Sequence, residues 1–242
     1  MISIIIPAHN EEKYIGKCLT SIKNIKSSES FEVIVVNNTS TDRTKEVVEK
    51  LLPEAKIIDE PRKGLTLAYN RGAKEAKGDI LAFVDADMIL PPNHLERISK
   101  EFTKDSELVL LSGPYRYKDG GFFCDLVTRL SYLLIAMPAE LILVRFLNIG
   151  ASMASGNSAV RKWAFEKVGG FNERLFYGLE TEFALRAKKL GKVRFKYYLT
   201  VESSARRLKK EGALRTVARH ILNIIGPWIF KKPFTKTYID IR

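Results

Sequence analysis

Four short apolar runs, separated by helical stretches, limit what the first half of this chain can become. Ile2 to Ile6, Phe31 to Val36, Lys56 to Ile58 and Ile80 to Val84 are β-rich and largely apolar on successive positions. Strands of that kind are covered on both faces, as in the parallel sheets of α/β proteins. Between them, Glu11 to Ile25 carries Ile15, Leu19 and Ile22 at helical spacing. A second helix, with Val47, Val48 and Leu51, follows the N-cap chemistry of Ser40-Thr41-Asp42, and Leu65 to Ala76 is a third, ended by Gly78. This alternation predicts βαβ units: an α/β, Rossmann-like, mostly parallel sheet with helices on both faces.

The second half is less regular. Leu108 to Ser112 and Val193 to Val201 read as strands, and Ser152 to Val160 as a strand or an extended stretch rich in small residues. Trp163 to Val168 and Glu180 to Leu190 read as helices, with a final helix from Leu214. Phe122 to Asn148 is strongly apolar and broken near Pro138. A bilayer span takes about 20 predominantly apolar residues, whereas Leu130 to Leu147 holds Pro138, Glu140 and Arg145. Core packing or contact with a membrane surface is expected there, and Ile221 to Phe230 followed by Lys231-Lys232 has a similar interfacial character. Met1 to Pro7 is too short and lacks the basic flank of a secretory signal, so it reads as a strand. Cys18 and Cys124 suit no disulfide framework or metal-ligand spacing, which favours a reducing, cytoplasmic setting.

In open α/β sheets ligands bind beyond the carboxyl ends of the strands. Here those ends are Pro7 to Glu12, Asn37 to Asp42 and Asp85 to Asp87, all polar, which points to one shared site. Asp85-Ala86-Asp87 sets two carboxylates around a small residue, a pattern able to coordinate a hard divalent ion that bridges diphosphate oxygens. Such a pair also caps helices, and Asn37 to Asp42 equally suits a turn or recognition of a base or ribose.

The net charge of +12 calls for an anionic partner: nucleic acid, a membrane surface or a phosphorylated substrate. From Glu202 onward, ten Lys and Arg residues face only Glu202, Glu211 and Asp240. No helix-turn-helix, zinc-finger or aromatic RNA-binding motif is present, so no nucleic-acid partner is expected.

Ser3 to Glu12 (SIIIPAHNEE) resembles the opening motif of the family 2 glycosyltransferases, enzymes of GT-A fold, and Val33 to Thr44 (VIVVNNTSTDRT) resembles their second motif. Lys63-Gly64 with Ala68, Asn70, Arg71 and Gly72 is similar to the third, and Gly78 to Asp87 (GDILAFVDAD) to the strand carrying their Asp-x-Asp signature. Gly169-Gly170-Phe171 and Gly178 to Arg186 (GLETEFALR) resemble their acceptor-side motifs, so roughly the first 200 residues follow the family order. The resemblance implies an inverting, metal-dependent enzyme that moves a sugar from a nucleotide diphosphate to an acceptor hydroxyl or phosphate.

Residue by residue, it implies that Pro7, Ala8, His9 and Glu11 line the nucleotide pocket and that Asn37 meets the base. Lys63 and Arg71 belong to the same donor side. Asp85 and Ala86 would contact ribose and diphosphate, with Asp87, and Asp85 beside it, ligating Mg²⁺ or Mn²⁺. Glu180 aligns with the catalytic base. Its alternative is a first-turn acid favourable to the helix dipole, and Glu182 is a second candidate base. Arg116 would face the phosphates or serve the surface. Arg206 and Arg207 would clamp phosphates or simply begin a solvated basic helix. The implied organisation is a nucleotide-sugar half over 1–120, an acceptor and catalytic-base half of the same domain over 121–205, and a basic, apolar C-terminal helical segment over 206–242. A glycan or lipid-linked acceptor, with peripheral contact at the cytoplasmic membrane face, fits the basic and apolar tail.

Two positions depart from the family pattern. Leu179 replaces the first acid of Glu-Asp, with Glu180 where Asp is usual, and Asn37 stands where an acid commonly meets uracil, so uridine preference does not follow. A catalytically inactive relative is therefore an alternative. A nucleotidyltransferase is a weaker one, because the loop after the first strand (PAHNEE) is acidic and lacks glycine.

Overall fold

A computed structural model describes residues 1–131, 133–134, 138, 153–175 and 178–212. The helix expected from Leu214, the Ile221–Lys232 segment and most of the Leu130–Leu147 run lie outside the described residues. The first half follows the expected alternation: β1 (Ile2–Ala8), α1 (Ile15–Lys23), β2 (Phe31–Asn37), α2 (Thr44–Leu51), β3 (Lys56–Asp59), α3 (Leu65–Glu75) and β4 (Ile80–Val84). There follow β5 (Met88–Ile89), α4 (His94–Lys104), β6 (Leu108–Ser112), β7 (Tyr115–Arg116) and α5 (Gly121–Ser131). After these come β8 (Asn157–Arg161), α6 (Lys162–Lys167), α7 (Leu179–Ala187), β9 (Lys192–Phe195), β10 (Val201–Ser203) and α8 (Arg206–Glu211).

Among the described residues the main sheet runs β3-β2-β1-β4-β8-β6-β9, and a small sheet runs β5-β10-β7. All main-sheet pairs are parallel except those of β8, which lies antiparallel between β4 and β6. Successive residues of the apolar strands enter opposite cores. Ile4, Ile6, Val33, Val35 and Val84 pack with α1, α2 and α4 on one face. Ile5, Ile34, Val36, Leu81 and Phe83 pack with α3, α6 and α7 on the other.

The structure corrects one reading. The strand expected over Val193–Val201 is interrupted by a 3-10 turn at Tyr197–Leu199, because the chain leaves β6 and crosses to pair β10 with β5 and β7. The strand or extended stretch expected up to Val160 is strand from Asn157, where the Asn157 N–H closes a turn onto the Ala154 carbonyl. Helix α4 had not been anticipated, although Leu95, Ile98 and Phe102 form its buried stripe.

Helix α3 meets the sheet at Gly72. A Cβ there would lie 2.4 Å from Ile5 Cγ2 and 3.0 Å from Val36 Cγ2. Alanine favours helix over glycine by about 1 kcal/mol, but here overpacking should win. Gly72→Ala is expected to destabilise the fold by about 1–3 kcal/mol, read as a lower urea midpoint at unchanged slope.

Candidate active site

β1 has β2 on one side and β4 on the other, so the following connections diverge and open a crevice at the carboxyl ends. The polar ends of β1 and β2 are bonded into one floor. The Ala8 carbonyl accepts the Asn38 N–H at 2.8 Å, and His9 Nδ1 lies 2.7 Å from the Asn38 carbonyl. Ser40 Oγ accepts the Asn10 N–H, while Asn10 Oδ1 accepts the Thr41 N–H. Asn10 and Thr39 hold positive φ, at 52° and 60°. Asp42 Oδ1 accepts the Thr44 N–H at 3.0 Å, at the entry to α2, whose N-cap position is Arg43. Pro7 and Ala8 are buried within the strand. Asn37 is held at both ends of its amide: Nδ2 donates to Asp59 Oδ1 at 2.8 Å and Oδ1 accepts the Ser40 N–H at 3.3 Å.

Asp85, Ala86 and Asp87 follow β4 directly. Tyr69, fully buried on α3, donates its hydroxyl to Asp85 Oδ1 at 2.5 Å. Gly156 passes so close that a Cβ would lie 2.3 Å from Asp85 Cγ. Ala86 is buried in the core. Asp87 Oδ2 is 3.1 Å from Arg206 Nη2, and the same guanidinium meets both oxygens of Glu11 at 2.7 Å. Its carbon also lies 4.5 Å from the Tyr14 ring centroid. Burial opposes the charge on Arg206, but Glu11 and Asp87 more than offset it and push its pKa above the ordinary arginine value. Cys18 of α1 sits under this charge: burial first, then Asp87 and Asp85, push its thiol well up.

Glu180 lies in the first turn of α7, entered through Gly178 at φ 71°. Its Oε1 accepts the Ser155 hydroxyl at 3.0 Å. Burial, and to a lesser degree the nearby Asp85 carboxylate, raise its pKa. Glu182 is engaged differently, since Arg186 grips both its oxygens at 2.7 Å and also donates to the Val168 and Gly170 carbonyls. Asn70 holds the same loop, accepting from the Phe171 N–H and donating to the Phe171 carbonyl, each at 2.9 Å. Arg186, oriented by Glu182, and Asn70 thus fix the Gly-Gly-Phe loop against α7 and α3. Leu179 is a core residue beside Phe183.

Other expected residues pair elsewhere: Arg71 with Glu75, Arg116 with Asp125 and Arg207 with Glu211. Lys63 is exposed on a loop whose neighbours Arg62 and Gly64 are both held by Asn38. Sequence reasoning missed Tyr69, Ser155, Gly156 and Tyr14. Tyr69 precedes the Asn70 of the third motif, and Ser155-Gly156 lies in the small-residue stretch, so position was the only available signal. Among the described residues no group of three or more His, Cys, Asp or Glu is arranged to hold a metal ion. Asp85 and Asp87 nevertheless fit Mg²⁺ chemistry, in which one or two carboxylates act together with substrate phosphates.

A family model described as Glycosyl transferase family 2 matches residues 3–169. The chain belongs to that family. It is 28% identical over 127 residues to the putative glycosyltransferase EpsH of Bacillus subtilis, covering 51% of this chain and 37% of that one. To the glycosyltransferase AglE of Haloferax volcanii it is 30% identical over 196 residues, covering 78% and 62%. The chain thus spans less than two thirds of the length of either relative. Among solved structures, the mannosyltransferase PcManGT from Pyrobaculum calidifontis, in complex with GDP-Man and Mn²⁺, superposes with a TM-score of 0.67 at 22% identity, covering 91% of this chain and 61% of that one. The fold of this family 2 glycosyltransferase is accordingly GT-A.

Burial of Glu180 has a sign that can be checked. A carboxyl whose folded pKa is raised above its ordinary value of 4.5 keeps its proton longer in the native state. Its contribution is therefore fully present below about pH 4.5 and is lost as pH rises through the folded pKa. Glu180→Gln should raise the thermal midpoint at pH 7, and the gain should vanish in acid. A midpoint difference independent of pH would contradict this.

Proposed function

We propose that this chain is the catalytic domain of an inverting glycosyltransferase that takes its sugar from a nucleotide-diphosphate donor. The observation that carries the proposal is the meeting, at one end of the sheet, of the β1 and β2 loops, the Asp85–Asp87 pair and the buried Glu180. The loops after β1 and β2 hold the nucleoside, with Asn37 at the base and His9 and Glu11 in the pocket wall. Asp85 and Asp87 face the diphosphate. A divalent ion, Mg²⁺ or Mn²⁺, supplies positive charge against the departing diphosphate when bound, as the Mn²⁺ of PcManGT suggests for this site.

Glu180 acts as general base. Its carboxylate takes the proton of the acceptor hydroxyl while that oxygen forms a bond to the anomeric carbon and the bond to the nucleoside diphosphate breaks. A phosphate acceptor would arrive already ionised and would need Glu180 less. One displacement inverts the anomeric centre, whereas a retaining route through a covalent intermediate needs two. A raised pKa brings the base closer to the acidity at which it works.

The acceptor in this reading is a glycan or a lipid-linked molecule met at the cytoplasmic membrane face. Helix α5 leaves Phe122, Leu126 and Leu130 exposed, with Leu133 and Leu134 beyond its end, which supports peripheral contact. No helix among the described residues is long and apolar enough to cross a membrane.

The test is a thermal-shift panel of UDP-, GDP- and dTDP-sugars with and without Mn²⁺, followed by turnover of any stabilising donor. A metal-dependent hit is expected, with Asp87→Ala losing turnover by about 100-fold or more. Full turnover by Asp87→Ala with Mn²⁺ present would remove the central claim.

A further inference from the structure

Two consecutive residues touch the carboxylates of the two halves of the site. Ser155 Oγ donates to Glu180 Oε1 at 3.0 Å, and Gly156 runs against the Asp85 carboxylate with no room for a side chain. The turn that carries them is fixed from several sides. The Ala154 N–H donates to Ser112 Oγ at 2.8 Å, the Gly156 N–H to the Tyr115 hydroxyl at 3.0 Å, and the Asn157 N–H to the Ala154 carbonyl at 3.1 Å. Asn157 Nδ2 donates to the Pro114 and Leu199 carbonyls, and Ser158 Oγ to the Ser155 carbonyl at 2.9 Å. Ser155 itself is buried, so its hydroxyl is delivered to a fixed point.

We propose that Ser155 is a positioning residue whose hydroxyl holds the Glu180 carboxylate in place, and apart from Asp85, for proton removal from the acceptor. The proposal rests on the reading of Glu180 as the base. A buried carboxylate keeps a fixed place and orientation through its own hydrogen-bond donor, and two carboxylates at one crevice need one each. Here each has one: Tyr69 for Asp85 and Ser155 for Glu180. Among the described residues, the titratable groups that act on Glu180 are Asp85 from the end of β4 and Tyr69 of α3, with Tyr115 of β7 next to Tyr69. Ser155 gives up no proton in the reaction. It keeps one carboxylate oxygen hydrogen-bonded, stabilises the charged form and fixes the torsion of a side chain longer than aspartate.

The test uses the full chain with Ser155→Ala, Ser155→Thr and Glu180→Gln. Carboxyl ¹³C NMR titration, with Glu180 assigned by its loss in Glu180→Gln, requires no substrate. Nucleoside diphosphate release from UDP-N-acetylglucosamine and GDP-mannose, with water as acceptor, gives the rate profile. Ser155→Ala should raise the Glu180 midpoint by about one pH unit. The acid limb of kcat should move with it, donor KM should stay unchanged, and Ser155→Thr should restore both. Thermal unfolding of each variant separates this from loss of fold. A Glu180 midpoint that does not move in a folded Ser155→Ala overturns the proposal. Wild-type release by Glu180→Gln instead refutes the base assignment and removes the catalytic meaning of Ser155 with it. If Glu180→Gln is inactive while Ser155→Ala keeps the wild-type kcat and acid limb, Ser155 alone is refuted.

Discussion

Crowded negative charge at one end of the sheet is the constraint that the rest of the site answers to. Glu11, Asp85, Asp87 and Glu180 converge there, and only 2% of the Glu11 side chain and 11% of Asp87 are exposed. Carboxylates so poorly solvated persist only when paired or hydrogen-bonded. Among the described residues a guanidinium and two hydroxyls answer this need. Arg206 spans Glu11 and Asp87 and stacks on Tyr14, Tyr69 serves Asp85, and Ser155 serves Glu180. Because Arg206 lies 195 residues from Glu11, this pairing also draws α8 onto the first loop of the fold. Part of the basic excess near the C-terminus thereby acquires a structural use.

The Gly-Gly-Phe loop depends on a second set of polar clamps. Arg186 binds Glu182 and two carbonyls of the Gly-Gly-Phe loop, while Asn70 pairs with Phe171 from across the domain. Beneath them Tyr69, Phe83, Phe165, Phe171 and Phe183 form one aromatic cluster. Tyr69 belongs to both the cluster and the hydrogen bond to Asp85, so the apolar core sets the position of a carboxylate in the crevice. Glu182 is taken up in this framework. Glu180, by contrast, accepts from Ser155 and feels the Asp85 carboxylate.

The first half of the fold was legible because its signals are local. Uniformly apolar runs such as Ile2 to Ile6 state their own burial, and their polar ends announce the crevice. Placement of β8 was not legible, since antiparallel insertion between β4 and β6 depends on contacts more than forty residues away in sequence. The break after β9 escaped notice because Tyr197 to Val201 is as apolar as a strand and turns only to satisfy β5 and β7. Within the site, carboxylates at strand ends stood out. The hydroxyls of Tyr69 and Ser155 did not, because an ordinary tyrosine in a helix or serine in a turn carries no sign of the partner it will meet. The resemblance supplied Glu180, while the geometry around it decided which neighbouring acid was already engaged.

Departures from local preference also gather at this end of the molecule. Asn10 and Thr39 occupy left-handed backbone, Glu180 is buried as an acid, and Gly156 takes a place where any side chain would strike Asp85. Each costs stability, and each is held by bonds from elements that are otherwise regular. The Asn10–Ser40–Thr41 bonds secure the positive φ values, and the turn from Ala154 to Asn157 secures the close approach. At the opposite end of the strands, the capping contacts of Met1 with Asp79 and of Ser3 with Glu32 and Gly78 are conventional and involve no buried unpaired charge. Strain and buried charge thus gather at one end of an otherwise regularly packed sheet, the distribution expected when strands serve as a rigid support for chemistry in the loops.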